Sequence, residues 1–213
     1  MKRGALIASG LLVLAALWLG PIPRLATASF AAHMTLHMGV VAIAAPLLAF
    51  GLAGGALDPV RRAPRLFPPV PLSLVELAAV WGWHAPALHH FARNTTAGFV
   101  AEQGTFLVAG LLVWLSAFGG GRQVAQERRG AGLAALLLTS MHMTLLGALL
   151  ALSPRPLYRH AEVCALSPLD DQHLGGAIML LVGGVVYLAG GVWLTIELLH
   201  ARPAPHRLQE AIS

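Results

Sequence analysis

Six stretches of this chain are so apolar that they limit its fold more than any other feature. They lie at about residues 4–20, 30–52, 72–92, 98–118, 131–152 and 173–199, and several contain almost no charge. A helix of about 20 apolar residues crosses the roughly 30 Å of hydrocarbon in a bilayer. Only 11% of the 213 residues are charged, whereas a soluble domain carries about 25%. The sequence therefore predicts an integral membrane protein.

The apolar stretches predict helices rather than strands. Lipid cannot satisfy backbone polar groups, so only helices or closed barrels cross it, and the alternation typical of a barrel strand does not occur here. We predict an all-α membrane bundle of about six transmembrane helices, forming one domain over residues 1–213. Loops rich in Pro and Gly separate the helices. Pro86 lies inside the third stretch and should kink or break that helix.

The distribution of Lys and Arg predicts the orientation, because cytoplasmic loops carry an excess of both. With both termini inside, ten basic residues fall on the inner side: Lys2, Arg3, Arg61, Arg62, Arg65, Arg122, Arg128, Arg129, Arg202 and Arg207. Four fall on the outer side: Arg24, Arg93, Arg155 and Arg159. Residues 200–213 then form a cytoplasmic tail. Residues 1–28 form the first transmembrane helix or, as the alternative, a cleaved signal peptide ending near Ala28.

Three further features narrow the class of protein: the charge pattern, the single cysteine and the absence of catalytic motifs. The net charge is +5, but the basic residues form no patch interleaved with aromatic residues, so nucleic acid is not an expected partner. Cys164 is the only cysteine, which leaves no intrachain disulfide and no cysteine pair for a metal. The chain also has no general-base, nucleophile or phosphate-loop motif. We therefore do not expect an enzyme or an ATP-driven pump.

Histidines concentrate in the outer half of the predicted bundle. Eight of the ten lie there: His33, His37, His84, His89, His90, His142, His160 and His173. They come from different helices but lie at similar depth. His33 and His37 are four residues apart, so both rings project from one helical face and can meet one ion. Ionisable side chains inside membrane spans are costly and usually functional.

Methionines accompany these histidines. Met34 and Met38 follow the first pair, and Met141 and Met143 flank His142. Imidazole binds copper, zinc, iron and nickel, whereas thioether selects Cu(I). Structural zinc sites usually contain thiolate. Histidine with methionine and without cysteine pairs therefore favours copper.

Carboxylates are few. Glu76 and Glu197 lie inside apolar stretches, Glu102 and Gln103 lie near the outer start of the fourth, and Asp170 and Asp171 precede His173. Either aspartate suits the N-cap of the last helix, and either can orient His173 or bind a metal.

Structural interpretations of the same residues stay open. A membrane histidine often forms one interhelical hydrogen bond, and we interpret His89, His90 and His160 in this way. Methionine fills gaps in any helix bundle.

Four ordered blocks of sequence resemble the CtaG family of cytochrome c oxidase assembly proteins: "HMTLHMGVVAIAAPLLAFG", "WHAPAL", "MHMTLLGALLALSPRPLY" and "LDDQHLGGAIM". The resemblance covers roughly residues 30–190. It implies a bacterial plasma-membrane protein that helps to assemble caa3-type and related oxidases and to supply copper to them. The matching positions are His33, His37, Pro46, Trp83, His84, Pro86, Gly147, Pro156, Leu157, Tyr158, Asp171, Gln172 and Gly175.

One position departs from the family pattern. Members tend to have a Glu-His pair before the fourth span, whereas this chain has Glu102 and Gln103. If the missing histidine is a metal ligand in relatives, this chain has lost it or has replaced it with His142 or His173.

Together these observations predict a multi-pass assembly factor that binds copper on the periplasmic side and delivers it to the oxidase. The predicted metal ligands are His33, His37, His84, His142, His173, Met34, Met38, Met141 and Met143. Asp171, Glu102 and Gln103 are predicted to support them. The expected partners are oxidase subunits, other assembly factors and the lipid bilayer. Two alternatives remain: a haem-binding or redox protein, and a proton-coupled transporter using His142, Glu76 and Glu197.

Overall fold

The chain folds into a bundle of apolar helices. The structure is a computed structural model that describes residues 3–158 and 166–200; the predicted tail beyond His200, together with His160 and Cys164, lies outside the described residues. The helices are α1 (Arg3–Leu19), α2 (Ile22–Ala26), α3 (Phe30–Met38), α4 (Ala45–Leu52), α5 (Pro59–Arg62), α6 (Pro69–His84), α7 (Pro86–Asn94), α8 (Thr96–Phe118), α9 (Gly121–Ala151) and α10 (Pro168–His200).

Five helical stretches are long and apolar enough to cross a membrane. They are Phe30–Leu52, Pro64–His84, Thr96–Phe118, Gln123–Ala151 and Pro168–His200. The helix α1 is apolar but has only 17 residues. It runs antiparallel to the first span, because Ile7 lies beside Gly51 and Leu17 beside Gly39. The all-α membrane bundle is therefore confirmed, and five spans with the shorter α1 are consistent with the predicted count of about six.

The first span contains a widened turn directly after its histidine pair. A π-helical segment, Gly39–Ala44, joins α3 to α4, and the backbone N–H of Ala45 bonds the carbonyl of Val40 five residues earlier. Pro46 follows at the start of α4 and has no N–H to continue the ordinary pattern. A π-helical turn of this kind commonly relieves such a break, and it is frequent at functional sites.

The third predicted stretch divides at its proline, as expected. The helix α6 ends at His84, Ala85 adopts an extended conformation (φ −65°, ψ 134°), and α7 begins at Pro86. The residue before a proline avoids the helical region for steric reasons. The predicted start of the fifth stretch, at about residue 131, was too late. The glycine-rich segment predicted as a loop before residue 131 is already helical from Gly121.

The helices α9 and α10 approach each other through glycine. A Cβ atom at Gly176 would lie 2.4 Å from the backbone nitrogen of Ala151 and 2.7 Å from the carbonyl oxygen of Gly147. Lipid supplies no hydrophobic drive between helices, so small residues that allow close backbone contact stabilise the pair. Gly175, on the adjacent face, packs against the ring of Phe30 in α3. These contacts fix α10 against the helix that carries the first two histidines.

We expect Gly176→Ala to destabilise the bundle, because its methyl group would overlap the backbone of α9. Overpacking of this kind costs about 1–3 kcal/mol. Gly104→Ala is the matched control, since no atom lies within 4 Å of a Cβ placed there. Thermal unfolding in detergent, followed by circular dichroism, compares the two variants with the wild type. Equal unfolding temperatures for both variants would contradict the close packing of α9 and α10.

Candidate functional site

Four histidine rings meet at the end of the bundle where α3 begins and α6 ends. His33 and His37 come from α3, His84 ends α6, and His89 lies in α7. The centroid of the His33 ring lies 4.9 Å from that of His89 and 5.5 Å from that of His84. The centroids of His37 and His84 are 5.3 Å apart. All four side chains are buried. We call this group the histidine cluster.

The two histidines of α3 project from one face, as their spacing predicts. Their rings are nearly parallel, at 8°, with centroids 6.4 Å apart. Phe106 of α8 lies against His37, with ring centroids 4.0 Å apart. Phe106 therefore gives the cluster an apolar wall beside His37.

The structure adds His89, which the sequence analysis left outside the predicted ligand set. The break at Pro86 lets α7 fold back, and α7 packs closely on α8. Within α7, His89 and Ala92 are buried, whereas His90 and Phe91 are exposed. His89 and Ala92 are three residues apart, a spacing that places both side chains on the same, inward face of a helix. That spacing was present in the sequence, but a nine-residue helix was too short for it to stand out.

One carboxylate borders the cluster. Glu102 of α8 is buried, and its Oε2 lies 3.9 Å from Nδ1 of His33. Ligand atoms of His33, His89 and Glu102 all lie within 4.8 Å of one another. Among the described residues, no other group of three or more His, Cys, Asp or Glu residues has ligand atoms this close together. A small rearrangement of side chains would let the three atoms share one cation.

Glu102 is held by its neighbours. Arg93 of α7 forms an ion pair with its carboxylate, and Nε2 of Gln103 donates a hydrogen bond to Oε2 at 3.0 Å. Gln103 in turn accepts a bond from Nε1 of Trp18 at 3.3 Å. Glu102 and Gln103 were predicted as supporting residues, and the structure places Gln103 behind Glu102 and away from the cluster's rings. Arg93 was not predicted.

Several ring nitrogens of the cluster have no hydrogen-bond partner within the described residues. They are both nitrogens of His33, both of His37 and Nε2 of His84. Nδ1–H of His84 donates to the carbonyl of Val80 at 2.6 Å. This bond sets the tautomer, so Nε2 carries the free lone pair. Metal-bound histidines usually donate their other nitrogen to a carbonyl or carboxylate in this way. Buried polar atoms are rarely left unbonded, so this set of nitrogens indicates a ligand.

Tyr158 supports two of the rings. Its hydroxyl donates to the carbonyl of His84 at 2.6 Å, and its ring lies 4.4 Å from that of His89 and stacks on Phe30 at 4.5 Å. Burial raises the pKa of the Tyr158 hydroxyl above its ordinary value. The hydroxyl thus remains protonated and keeps its donor role across the physiological pH range.

Asp171 helps to position the histidine cluster by bonding the backbone at the start of α3. Its carboxylate accepts bonds from the N–H of Phe30 at 2.6 Å, the N–H of Ala31 at 3.2 Å and the hydroxyl of Ser29 at 2.7 Å. A carboxylate at a helix N-terminus satisfies unpaired N–H groups and complements the helix dipole. Asp171, in α10, therefore fixes the start of α3, one turn before His33. It does not contact His173.

Other predicted ligands lie apart from the cluster. Met34, Met38 and Met143 are buried, and Met38 and Met143 meet beside Gly183 of α10. Met141 is 67% exposed on the outer surface of the bundle. Nε2 of His173 bonds the carbonyl of Ser153 at 2.9 Å.

His142 lies in α9, on another side of the cluster. Thr139, one turn before it, donates a hydrogen bond to Glu76 of α6, the helix that ends at His84. The His142 side chain is 4% exposed, and neither ring nitrogen has a hydrogen-bond partner among the described residues. It also lines a groove on the surface of α9 and α10. His142 is therefore adjacent to the cluster and also to the exterior of the bundle.

A second polar group lies deeper along α6. Glu76 is buried; Tyr187 donates to its Oε1 at 2.6 Å and Thr139 to its Oε2 at 3.0 Å. Glu197, by contrast, is at the far end of α10, where it pairs with Arg129 at 2.9 Å. The three residues named for a transporter thus lie in separate surroundings.

Comparison with known proteins gives one finding. The family model described as cytochrome c oxidase caa3 assembly factor (Caa3_CtaG) matches residues 1–201. No curated protein and no solved structure matches the chain.

We expect Asp171→Asn to lower the stability of the bundle by about 1–2 kcal/mol, the usual cost of losing a helix cap. The substitution keeps the side-chain shape but removes the charge and one acceptor from the start of α3. Asp170→Asn is the control, because Asp170 is exposed and bonds only the nearby Ser167. Unfolding in detergent measures both. A loss of equal size in the two variants would contradict the role of Asp171.

Proposed function

Because this chain belongs to the family of cytochrome c oxidase caa3 assembly factors, we propose that it binds copper and delivers it to the oxidase. A multi-pass membrane protein of this family acts on a membrane-bound oxidase. The observation that supports copper binding is the set of buried, unbonded nitrogens on His33, His37 and His84, beside the carboxylate of Glu102. Copper is the cargo of this activity.

The residues proposed to hold the cargo are those of the histidine cluster, with Glu102. Neutral imidazole suits copper, and the Nδ1 bond of His84 to a backbone carbonyl leaves its Nε2 ready to coordinate. The chemistry that copper contributes is its later redox activity in the oxidase; the chain only holds and releases it. Met34 and Met38 of α3 and Met143 of α9 are buried beside α10 and lie outside the proposed cargo site.

The arrangement also favours reversible binding. Without a cation, the charge of Glu102 is neutralised by Arg93. A cation at Glu102 must compete with Arg93, and this competition lowers affinity. Arg93 also lines a groove of about 390 Å³, with Arg24, Thr27 and Asn94. Arg93 joins this groove to Glu102, with which it pairs, and the distribution of basic residues orients the groove to the periplasmic side of a bacterial plasma membrane. Copper would enter from that side.

We expect His89→Gln to reduce copper affinity by at least about 10-fold, since even groups that only support a metal ligand contribute that much. His90→Gln is the matched control: it changes the adjacent histidine, which is exposed and bonds Asn94. Metal analysis of protein purified from membranes, and titration with Cu(I), measure the difference. Equal affinity in both variants would contradict this site.

The optical spectrum of the same purified protein tests the haem alternative. A Soret band without copper would replace the copper proposal with a haem site. Copper without a Soret band supports the proposal, and His33→Gln should then abolish the bound metal. Purified protein that contains neither haem nor copper, even after copper loading, would overturn the copper proposal.

A further inference from the structure

The surface beside His142 has features that the copper site does not explain. A groove of about 630 Å³ lies between α9 and α10, lined by Leu138, Met141, His142, Thr144, Leu145, Ala148 and Leu180. All seven belong to membrane-spanning helices. The groove is open on the side that faces lipid, because Met141 and Leu145 are largely exposed.

Two polar residues line this otherwise apolar groove, and they differ in hydrogen bonding: the hydroxyl of Thr144 bonds the backbone of its own helix, whereas His142 does not. His142 is buried in the wall of the groove, and both ring nitrogens lack a hydrogen-bond partner among the described residues. Hydrocarbon tails of lipid offer neither a donor nor an acceptor, so lipid that fills the groove leaves the ring unsatisfied. A protein helix can supply a polar or metal-binding side chain. The groove therefore fits a transmembrane helix better than it fits lipid.

The depth of His142 matches that of the copper site. His142 is nine residues before Ala151, where α9 ends, and His37 is seven residues after Phe30, where α3 begins. At 1.5 Å per residue, these positions lie about 14 Å and 11 Å from the same end of the bundle. Thr139, one turn before His142, donates a hydrogen bond to Glu76 of α6, and α6 carries His84 two turns beyond Glu76 toward the same end of the bundle. His142 stands beside the histidine cluster on one side and lines the lipid-facing groove on the other.

We propose that this groove is the docking surface for a transmembrane helix of the oxidase, and that His142 passes copper sideways to it. This inference rests on the proposed copper-binding function. The transfer is a ligand exchange within the membrane: a copper–nitrogen bond to His37 is replaced by one to His142, and that bond by one to a metal-ligating side chain of the partner helix. No electron is transferred, and each released nitrogen regains its lone pair.

The oxidase is the partner that the family assignment requires, since an assembly factor must contact its client. The shape of the groove agrees with a helix. Ala148 and Thr144 give it small side chains at which a second backbone can approach closely. A second copy of this chain would present the same groove and its own His142, and the two occupants give different crosslinked products.

Photo-crosslinking in membranes tests the docking surface. A photoreactive amino acid at position 141, in the groove, is compared with one at position 108 on α8, where Val108 is similarly exposed. We expect an adduct with an oxidase subunit, identified by mass spectrometry, from position 141 and not from position 108. Adducts with lipid alone, adducts with a second copy, or equal adducts from both positions would overturn the docking proposal.

Two substitutions test the transfer. His142→Ala should leave copper bound to the chain while the copper content of the purified oxidase falls several-fold. Ala148→Trp should fill the groove and have the same effect, whereas Leu149→Trp, at the next residue and outside the groove, should have none. Loss of copper from the chain itself in His142→Ala would make His142 a holding ligand and overturn the transfer role, as would normal oxidase copper in both groove variants.

The outcomes separate this inference from the proposed function. If the wild-type chain binds no copper, the copper function and the transfer role fail together, and position 141 still tests docking. If the wild-type chain binds copper and His33→Gln loses it, but His142→Ala delivers copper normally, only the transfer role fails.

Discussion

The carboxylate of Asp171 connects the two parts of the molecule on which the site depends. From α10 it accepts hydrogen bonds from the first residues of α3, while Gly175, four residues further on, packs against Phe30 of the same helix. The N–H groups of Phe30 and Ala31 are buried and bond Asp171, while the hydroxyl of Ser29 accepts from the N–H of Ala32. The position of α3 sets that of His33 and His37, and the other two histidines of the cluster are arranged around them.

Two groups of buried polar side chains differ in how far their hydrogen-bonding capacity is used. On α6, Glu76, Val80 and His84 follow one another at four-residue intervals and lie on one face. Glu76 is fully bonded by Tyr187 and Thr139, so it stabilises the meeting point of α6, α9 and α10. The cluster one turn beyond Val80 differs, because its ring nitrogens are largely unbonded. The first group serves packing, and the second retains unused capacity to bind a ligand.

The sequence predicted the membrane bundle, the break at Pro86 and the shared face of His33 and His37, because each follows from local rules of length, backbone geometry and helical period. It did not predict which methionines face inward. Met141 and Met143 flank the same histidine, yet Met141 is exposed and Met143 is buried. Around them α9 mixes the hydroxyl residues Thr139, Ser140 and Thr144 with apolar ones, so the hydrophobic period gives no clear inward face there. His89 and Arg93 were missed because α7 folds back on α8, and that tertiary contact has no local signature.

Under the proposed function, the pairing of Arg93 with Glu102 would let the chain hold a cation without retaining it. A buried carboxylate with no counter-charge would bind any cation tightly, because little else could repay its desolvation. With Arg93 in place, the empty site is already neutral. A cation that displaces Arg93 gains only the difference between its own interaction energy with Glu102 and that of Arg93. The imidazole nitrogens then decide selectivity, since Arg93 does not compete for them. Release requires only that Arg93 return to Glu102, and the same residue therefore stabilises the empty state and favours transfer to the oxidase under the proposed function.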